Sequence, residues 1–473
     1  MRALLSADAM GRADAAAIDS GTPAAALMDR AGRAVADVAI RVAGGRYGKK
    51  ATVVCGKGNN GGDGAVVARV LAREGMAVRC FLLFDPAEAR GPAAEHLTGM
   101  VAAGVRAEGW GPGAVAAVRA SDVVVDAIFG TGTKGAPHGI AAEAITVLDD
   151  RRLPIVAVDI PSGVDPSTGA VEGIAVHART TVALGAQKTG TALPPGTLRA
   201  GSVVVRDIGI GFDGGEPAIN LLEERDVGRR LPVRPPDAHK KGFRTVAVLA
   251  GSDAMRGAPL LTARGAMRSG AGYVTLGTTA TVKDVAATSL PELLVRAVGS
   301  EGVIGPEALD HFADVLDEAD AVAVGPGIGT GAPQRALVER LLREFQGYLV
   351  LDADALNVLS EDVEPLSRRE HPLALTPHPA ELGRLLGIDT REVVGDRLAA
   401  AVAAAERFPA AVVLAKGLRT VVAHDEGRRA WVVAAGSAAL ASAGTGDVLA
   451  GVVATLGPGD DVPGAALAAS VHG

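Results

Sequence analysis

The stretch "CGKGNNGGDGAVVARVLAREG", Cys55 to Gly75, crowds Gly56, Gly58, Gly61, Gly62 and Gly64 around Asn59, Asn60 and Asp63, just ahead of an apolar run. The residues before it, "ATVVC" (Ala51 to Cys55), are β-branched and apolar, as a buried strand requires. Val66, Val67, Val70 and Leu71 after it recur at helical spacing. Strand, glycine loop and helix start is the geometry that aims helix-end N–H groups at a phosphate. On this reading the glycines reach φ > 0 and let the main chain close on a ligand, while the asparagines tolerate the same left-handed geometry. The spacing is not that of the lysine-bearing phosphate loop, and a GxGxxG read from it is weak alone. A plain turn between strand and helix would use the same glycines, but gives no reason for Asn59, Asn60 and Asp63 among them.

The chain has 473 residues, which suggests two domains. It is 48% hydrophobic and 21% charged, a globular composition. A net charge of −7 argues against a nucleic-acid or anionic-membrane surface, and 3% aromatics are too few for a base-stacking platform. Cys55 and Cys80 both lie in apolar runs and read as reduced core residues, so a cytoplasmic location is expected. The start, "MRALLSADAMGRAD", lacks a signal peptide's apolar core, and no stretch approaches the ~20 apolar residues of a membrane span.

One composition shift marks a boundary. "DVGRRLPVRPPDAHKKGF", Asp226 to Phe243, is basic, proline-rich and non-periodic, which places domains at 1–225 and 226–473. Each is long enough for its own core. Both alternate short β-branched runs with alanine-rich helical ones. In the first, "ATVVC", "VRCFLLF", "DVVVDAIF", "PIVAVDI" and "TTVAL" read as strands. In the second, "RTVAVLAG", "GYVTLG", "AVAVGPG", "YLVLDAD", "PLALTPH" and "AAVVLAKG" do. Apolar strands separated by helices predict α/β domains with parallel sheets covered on both faces.

Ligands of an open parallel sheet bind beyond the carboxyl ends of its strands. Three such ends in the first half carry chemistry: the opening loop, "VVVDAIFGTGTKG" with Asp126, and "VAVDIPSGVDPSTG" with Asp159, Ser162 and Asp165. Any one acid there could simply cap a helix or hold a turn. Together they offer amides for phosphates, Asn60, Asp126 and Ser162 as hard oxygen ligands for a cation, and Asp159 as an acid–base group.

These motifs, with "LMDRAG" (Leu27 to Gly32), "QKTG" around Lys188 and "DIGI" from Asp207, resemble the NAD(P)H-hydrate epimerase family over nearly all of residues 1 to about 212. The resemblance implies a Rossmann-like enzyme that interconverts the R and S forms of hydrated nicotinamide dinucleotides, NADHX and NADPHX. By it, Asn59, Asn60, Gly61, Gly62 and Asp63, with Gly130, Thr131, Gly132, Thr133, Lys134, Gly135 and Ala136, hold the dinucleotide. Asn60, Asp126 and Ser162 bind potassium, and Asp159 contacts the hydrated ring as the catalytic residue. Arg30 departs from the family's frequent asparagine, a change expected in packing or a partner contact more than in chemistry.

In the second half, "ASAGTGDVLAGVVATLG" sets Gly444, Thr445, Gly446 and Asp447 at the start of an apolar helix. Helix-end amides make an anion hole, and an aspartate beside it can handle a proton, although a first-turn acid also stabilises a helix by itself. "GPGIG" (Gly325 to Gly329) and "LTPHPAEL" (Leu375 to Leu382) follow apolar strands. His378 reads equally as a structural or a functional histidine. "LAKGLRT" (Leu414 to Thr420) supplies a lysine suited to a nucleotide phosphate.

This constellation resembles the ribokinase-like superfamily. With "HKKGFRTVAVLAGS", "GAPLLTARGAMRSGAGYVTL", "PELLV", "LDADALN" and a final "VHG", it is more closely similar to the ADP-dependent NAD(P)H-hydrate dehydratase family, over about 239 to 473. That resemblance implies that Ala258, Gly327, His378 and Asp447 line the hydrated nicotinamide site, with Asp447 catalytic. Lys416, Gly417, Leu418, Arg419, Thr420 and Gly446 hold the adenine nucleotide, with ADP as co-substrate and Mg2+ as its ion. Ser437, Ala438 and Ala443 depart from the family's frequent Asn, Pro and Gly. The whole reads as a homo-oligomeric bifunctional repair enzyme, with no nucleic-acid or membrane partner. The alternatives are a vitamin or sugar-alcohol kinase with a dinucleotide-sensing front half, and a front half that only binds.

Overall fold

The computed structural model describes residues 1–133, 135–211, 218–237 and 239–473. The chain divides into two compact units, Ala3–Gly215 and Glu216–Gly473 with Met1–Arg2. The sequence put its boundary at 225/226, which would leave the strand Ala218–Leu222 in the first unit, whereas it falls in the second.

The first unit carries a seven-stranded sheet in the spatial order Ala107–Gly109, Ala77–Leu82, Lys50–Cys55, Val123–Ala127, Ile155–Val158, Thr180–Leu184, Ser202–Arg206. Every neighbouring pair in it is parallel. In chain order this is 3-2-1-4-5-6-7, a Rossmann-like winding whose direction reverses between Lys50–Cys55 and Val123–Ala127. Such a reversal splays the two following loops apart and leaves a crevice at the carboxyl ends. The short strands Ala107–Gly109 and Ser202–Arg206 escaped the sequence reading: they are edge strands that bury little, so their apolar signal is thin.

The glycines after Cys55 correct one expectation. The helix starts already at Asn59, with Gly58 as its N-cap, and none of Gly56, Gly58, Gly61, Gly62 and Gly64 has a positive φ. They are small for the sake of close approach. A Cβ on Gly56 would overlap the Ile128 carbonyl oxygen, and one on Gly61 would overlap the Gly56 carbonyl. A Cβ on Gly62 would come within 2.5 Å of the Met28 sulfur, and one on Gly64 within 2.7 Å of the Cys55 sulfur. Gly32 makes the reciprocal concession to Val66. The helices Ala24–Val42 and Asn59–Arg73 can therefore pack tightly against each other and on the strand ends.

In the second unit the strands follow the spatial order Leu294–Ala297, Tyr273–Thr278, Thr245–Leu249, Ala321–Val324, Tyr348–Leu351, Leu373–Leu375, Ala411–Ala415, Val421–His424, Arg429–Val433, Ala218–Leu222. The expectation of wholly parallel sheets fails here. Val421–His424 runs antiparallel to both of its neighbours. The turn to Arg429 is made by Asp425, Glu426 and Gly427, all at positive φ, a hairpin geometry that the "HDEGRR" sequence permits. The core beneath includes the fully buried Trp431. Its helix Thr445–Leu456 packs so closely on Ala258–Arg268 that a Cβ on Gly451 would overlap the Thr262 carbonyl.

Candidate functional site

At the sheet reversal of the first unit lies a cleft of about 620 Å³. Asn59, Asn60 and Asp63 line it from the first turns of Asn59–Arg73, Gly130 to Thr133 from the loop after Val123–Ala127, and Asp159 from the end of Ile155–Val158. Gly61 and Gly62 face the packing beneath instead. Gly135 lines a smaller neighbouring pocket, Ala136 is exposed, and Lys134 lies outside the described residues.

Asp159 has φ 67°, a left-handed conformation that costs a non-glycine residue about 1–3 kcal/mol and is maintained only where the surroundings impose it. Its Oδ1 accepts from the Lys188 ammonium at 2.5 Å and from the Leu184 amide at 3.0 Å. Lys188, 1% exposed, also donates to the Leu184 carbonyl at 2.7 Å. The lysine is set in place by the parallel pairing of Leu4 and Leu5 with Gln187 and Lys188. Burial pushes the Asp63 carboxyl well above its usual range, and the charges of Asp159 and Asp14 add to this against the opposing Lys188. Asp14, from the helix Ala7–Asp19, is raised too, chiefly by burial.

Asp126 and Ser162 sit beneath this floor, fully buried. Asp126 accepts from the Ser162 hydroxyl at 2.6 Å, the Ser162 amide at 2.8 Å and the Ile128 amide at 3.2 Å. Burial nonetheless pushes its carboxyl up to about 6, with those hydrogen bonds pulling the other way. The Ser162 hydroxyl accepts from the Phe129 amide at 2.9 Å, and the Asn60 side chain donates to the Phe129 carbonyl at 3.0 Å. Asn60 and Ser162 thus both bond the Phe129 backbone, and Asp126 joins them through Ser162. Arg30, the departure, donates to the Ile208 carbonyl at 3.1 Å in the "DIGI" segment and acts in packing.

In the second unit Asp447 is the third residue of Thr445–Leu456, behind the left-handed N-cap Gly444 (φ 88°). Its carboxyl is raised to about 6 by burial, then by Asp352 and Asp354, with Lys416 opposing. Lys416 donates to Asp352 at 2.8 Å and lies 4.0 Å from Glu381. Burial draws its ammonium down, but the two carboxylates outweigh that and the net shift is upward. A Cβ on Gly446 would lie 3.5 Å from the Lys416 nitrogen, so these two residues of the expected nucleotide set meet. Ala258 and Gly327 meet as well: a Cβ on Gly327, itself at φ 69°, would lie 3.3 Å from that of Ala258. The Gly329 amide donates to Asp354 at 2.9 Å and ties "GPGIG" to "LDADALN".

His378 has a structural role that the sequence left open. It is the N-cap of Pro379–Leu386, its Nδ1 accepting from the Ala380 and Glu381 amides at 3.1 and 3.3 Å, while Glu381 reaches back to the His378 amide at 2.7 Å. Burial, with Lys416 and Arg384 nearby, lowers its pKa, which favours the neutral ring that capping needs. Leu418 is exposed, the Arg419 guanidinium donates to the Ala434 carbonyl at 2.7 Å, and Thr420 bonds the Gly417 carbonyl at 3.0 Å. Ser437 caps the short turn Ala438–Leu440.

Four residues that shape these sites went unnamed as site residues in the sequence reading: Asp14, Lys188, Asp352 and Glu381. Asp352 directly follows the apolar "YLVL", the same signal that marked Asp126 and Asp159. Glu381 stands at capping-box spacing from His378. Asp14 lies in an alanine-rich helix and gave no local signal. Among the described residues no group of three or more His, Cys, Asp or Glu is arranged to hold a metal ion, and no helix is long and apolar enough to cross a membrane.

A Rossmann-like unit with an acid-lined cleft and a second α/β unit with an acid at a helix start define a two-site α/β enzyme. The family model for NAD(P)H-hydrate dehydratase matches residues 246–472, and that for the YjeF-related protein N-terminus matches 24–190. The bifunctional NAD(P)H-hydrate repair enzyme of Moorella thermoacetica is 36% identical over 99% of this chain and 91% of its own length. That of Salinibacter ruber is 38% identical over 99% and 90%. Among solved structures, the ADP/ATP-dependent NAD(P)H-hydrate dehydratase of Bacillus subtilis, co-crystallised with ATP and Mg2+, is 31% identical, with TM-score 0.44, covering 54% of this chain and 86% of that one. The chain belongs to the family of bifunctional NAD(P)H-hydrate repair enzymes.

Between the ordinary aspartate value of 3.8 and about 6, the folded protein holds a proton at Asp447 that the unfolded chain has released. This residue therefore weakens the fold progressively as pH rises through that window, and fully above it. Asp447→Asn removes the penalty, which is on the order of 1 kcal/mol after solvent screening is discounted, about 2–4 °C for a unit of this size. Thermal melts should show the variant more stable than the parent at pH 7.5, with the gain gone by pH 4. A variant less stable than the parent at pH 7.5 would show that Asp447 is held by structural bonds rather than strained for chemistry.

Proposed function

We propose that the first unit interconverts the R and S hydrates of NADH and NADPH, and that the second dehydrates the S hydrate at the expense of ADP. The carrying observation is Asp447, a carboxyl raised to about 6 at a helix start, where it feels the charges of the paired Lys416 and Asp352. Such a group is poised to take a proton near neutral pH. Hydroxide leaves poorly. Asp447 would deprotonate the ring hydroxyl as it attacks the terminal phosphorus of ADP, so that AMP departs. The ring nitrogen's lone pair then expels phosphate to give a C=N bond, and loss of a proton from the adjacent ring carbon, which the departing phosphate can accept, restores the dihydropyridine. Lys416 and the helix-start amides would hold the moving phosphoryl group.

Ala258, Gly327, His378 and Asp447 are proposed to line the hydrate site, and Lys416 to Thr420 with Gly446 the nucleotide site. Magnesium, when bound with the nucleotide, would screen phosphate charge; Asp352 and Asp354, near enough to raise Asp447, suit an ion that keeps most of its ligands from water and phosphate. A reducing cytoplasmic compartment agrees with the two free, buried cysteines. A homo-oligomeric state is carried from the resemblance.

The intact chain incubated with hydrated NADH and ADP should regenerate the reduced-nicotinamide absorbance and yield AMP and phosphate in equal amounts. Asp447→Asn should lower the rate on the order of 10²–10⁴-fold. Production of ADP from ATP with a phosphorylated alcohol, and no return of absorbance, would instead identify a small-molecule kinase.

For the first unit, Asn60, Asp126 and Ser162 are proposed to bind potassium. Asp126 is a buried carboxylate that, among the described residues, receives only neutral hydrogen bonds, so a monovalent cation would supply the charge it lacks. Potassium should raise the epimerisation rate or melting temperature, and Asp126→Ala should blunt that response. Identical behaviour in potassium and in potassium-free buffer would remove the ion from the account.

A further inference from the structure

Three carboxyls and the Lys188 ammonium face one cleft in the first unit. Asp63 comes from the helix Asn59–Arg73, Asp159 from the end of Ile155–Val158, Asp14 from the helix Ala7–Asp19, and Lys188 from the strand Gln187–Lys188. They are not equivalent. Asp159 is clamped: Lys188 and the Leu184 amide both bond Oδ1, and among the described residues Oδ2 accepts no hydrogen bond. Its left-handed backbone adds strain of the kind that functional sites store. Asp63 is buried on the opposite helix and, among the described residues, accepts no hydrogen bond at its carboxyl. The cleft thus presents two carboxyls in different surroundings, one beside an ammonium and one without it.

We infer that Asp63 and Asp159 are the acid–base pair of epimerisation, and that Lys188 is the positioning residue that fixes Asp159 for it. This rests on the epimerase reading above. The hydrate carries its hydroxyl on the carbon bonded to the ring nitrogen, and inversion there requires that C–O bond to break and re-form. The nitrogen lone pair forms a C=N bond while the Asp63 carboxyl gives its proton to the departing oxygen, which leaves as water. Water then adds to the opposite ring face, the C=N pair returns to nitrogen, and the surplus proton passes to Asp159 Oδ2. The substrate's composition is unchanged. One proton has moved from Asp63 to Asp159, and the reverse reaction or exchange with solvent resets the pair. No oxidant or other co-reactant is needed.

The charge environment supports these roles. Burial raises Asp63 first, Asp159 and Asp14 add to the shift, and Lys188 opposes it. The Cys55 thiol is the remaining titratable neighbour that feels Asp63, and Lys57, which lines the same cleft, is paired with Glu88 at 2.6 Å.

The test follows R-to-S interconversion by chromatography without ADP, so that dehydration is silent, across pH in the intact chain. The wild type should give a bell-shaped profile, one limb for each carboxyl. Asp63→Asn should fall on the order of 10²–10⁴-fold and lose the alkaline limb, and Asp159→Asn should lose the acidic one. Lys188→Met should move the acidic limb up by about 1 unit or more, because a carboxylate loses its adjacent cation, whereas Lys188→Arg should restore it. ADP-dependent dehydration of the pure S hydrate confirms that each variant is folded. A wild type that fails to interconvert the hydrates sinks the epimerase reading itself. A wild type that does so, with Asp63→Asn within threefold of it or keeping the alkaline limb, overturns only the acid–base pair. A limb unmoved in Lys188→Met removes the lysine's role.

Discussion

A charge taken out of water is costly unless an opposite charge meets it, and in each unit an ion pair at the carboxyl edge of the sheet does so. In the first, the Lys188 ammonium is held on Asp159; in the second, Lys416 is held on Asp352. Removing one partner of such a pair strands the other, typically at a cost of about 3–5 kcal/mol. The pairs therefore determine which nearby carboxyls are left without a cation. Asp63 near the first pair and Asp447 near the second are both raised, and both lie on the first turns of a helix that follows a strand and a glycine loop.

Glycine makes this arrangement possible by absence of volume. Gly56, Gly61 and Gly64 let a helix start sit directly on the strand ends, and Gly325 and Gly451 allow comparable approaches in the second unit, where a Cβ would overlap the Asp352 and Thr262 carbonyls. Backbone strain appears where a side chain rather than space is needed, at Asp159. The stability lost to that strain and to unpaired carboxyls is returned by the two cores, whose central strands are buried along their full length.

Much of this was legible in the chain itself. Apolar β-branched runs such as "ATVVC" and "YLVL" mark strands because burial on both faces leaves no room for polar alternation, and an acid directly after such a run marks a site. The conformation of the glycines was not legible, since small size and left-handed φ call for the same residue. The hairpin through Val421–His424 was hidden because short strands in an α/β pattern give no sign of direction. Asp14 and Lys188 could not be found locally: each acquires its meaning from a partner far along the chain. His378 shows the opposite case, a residue singled out for chemistry whose ring first satisfies the amides of its own helix.

The claim on which the rest turns is that two separate sites act on one pool of hydrates. The most direct measurement follows the R and S forms separately, with ADP present, in the intact chain carrying Asp159→Asn. The S form should vanish as the reduced-nicotinamide absorbance returns, while the R form persists and declines only at the rate of its unassisted interconversion; the unaltered chain should clear both. If Asp159→Asn cleared the R form as fast as the unaltered chain, or cleared neither, the assignment of one activity to each unit would be contradicted.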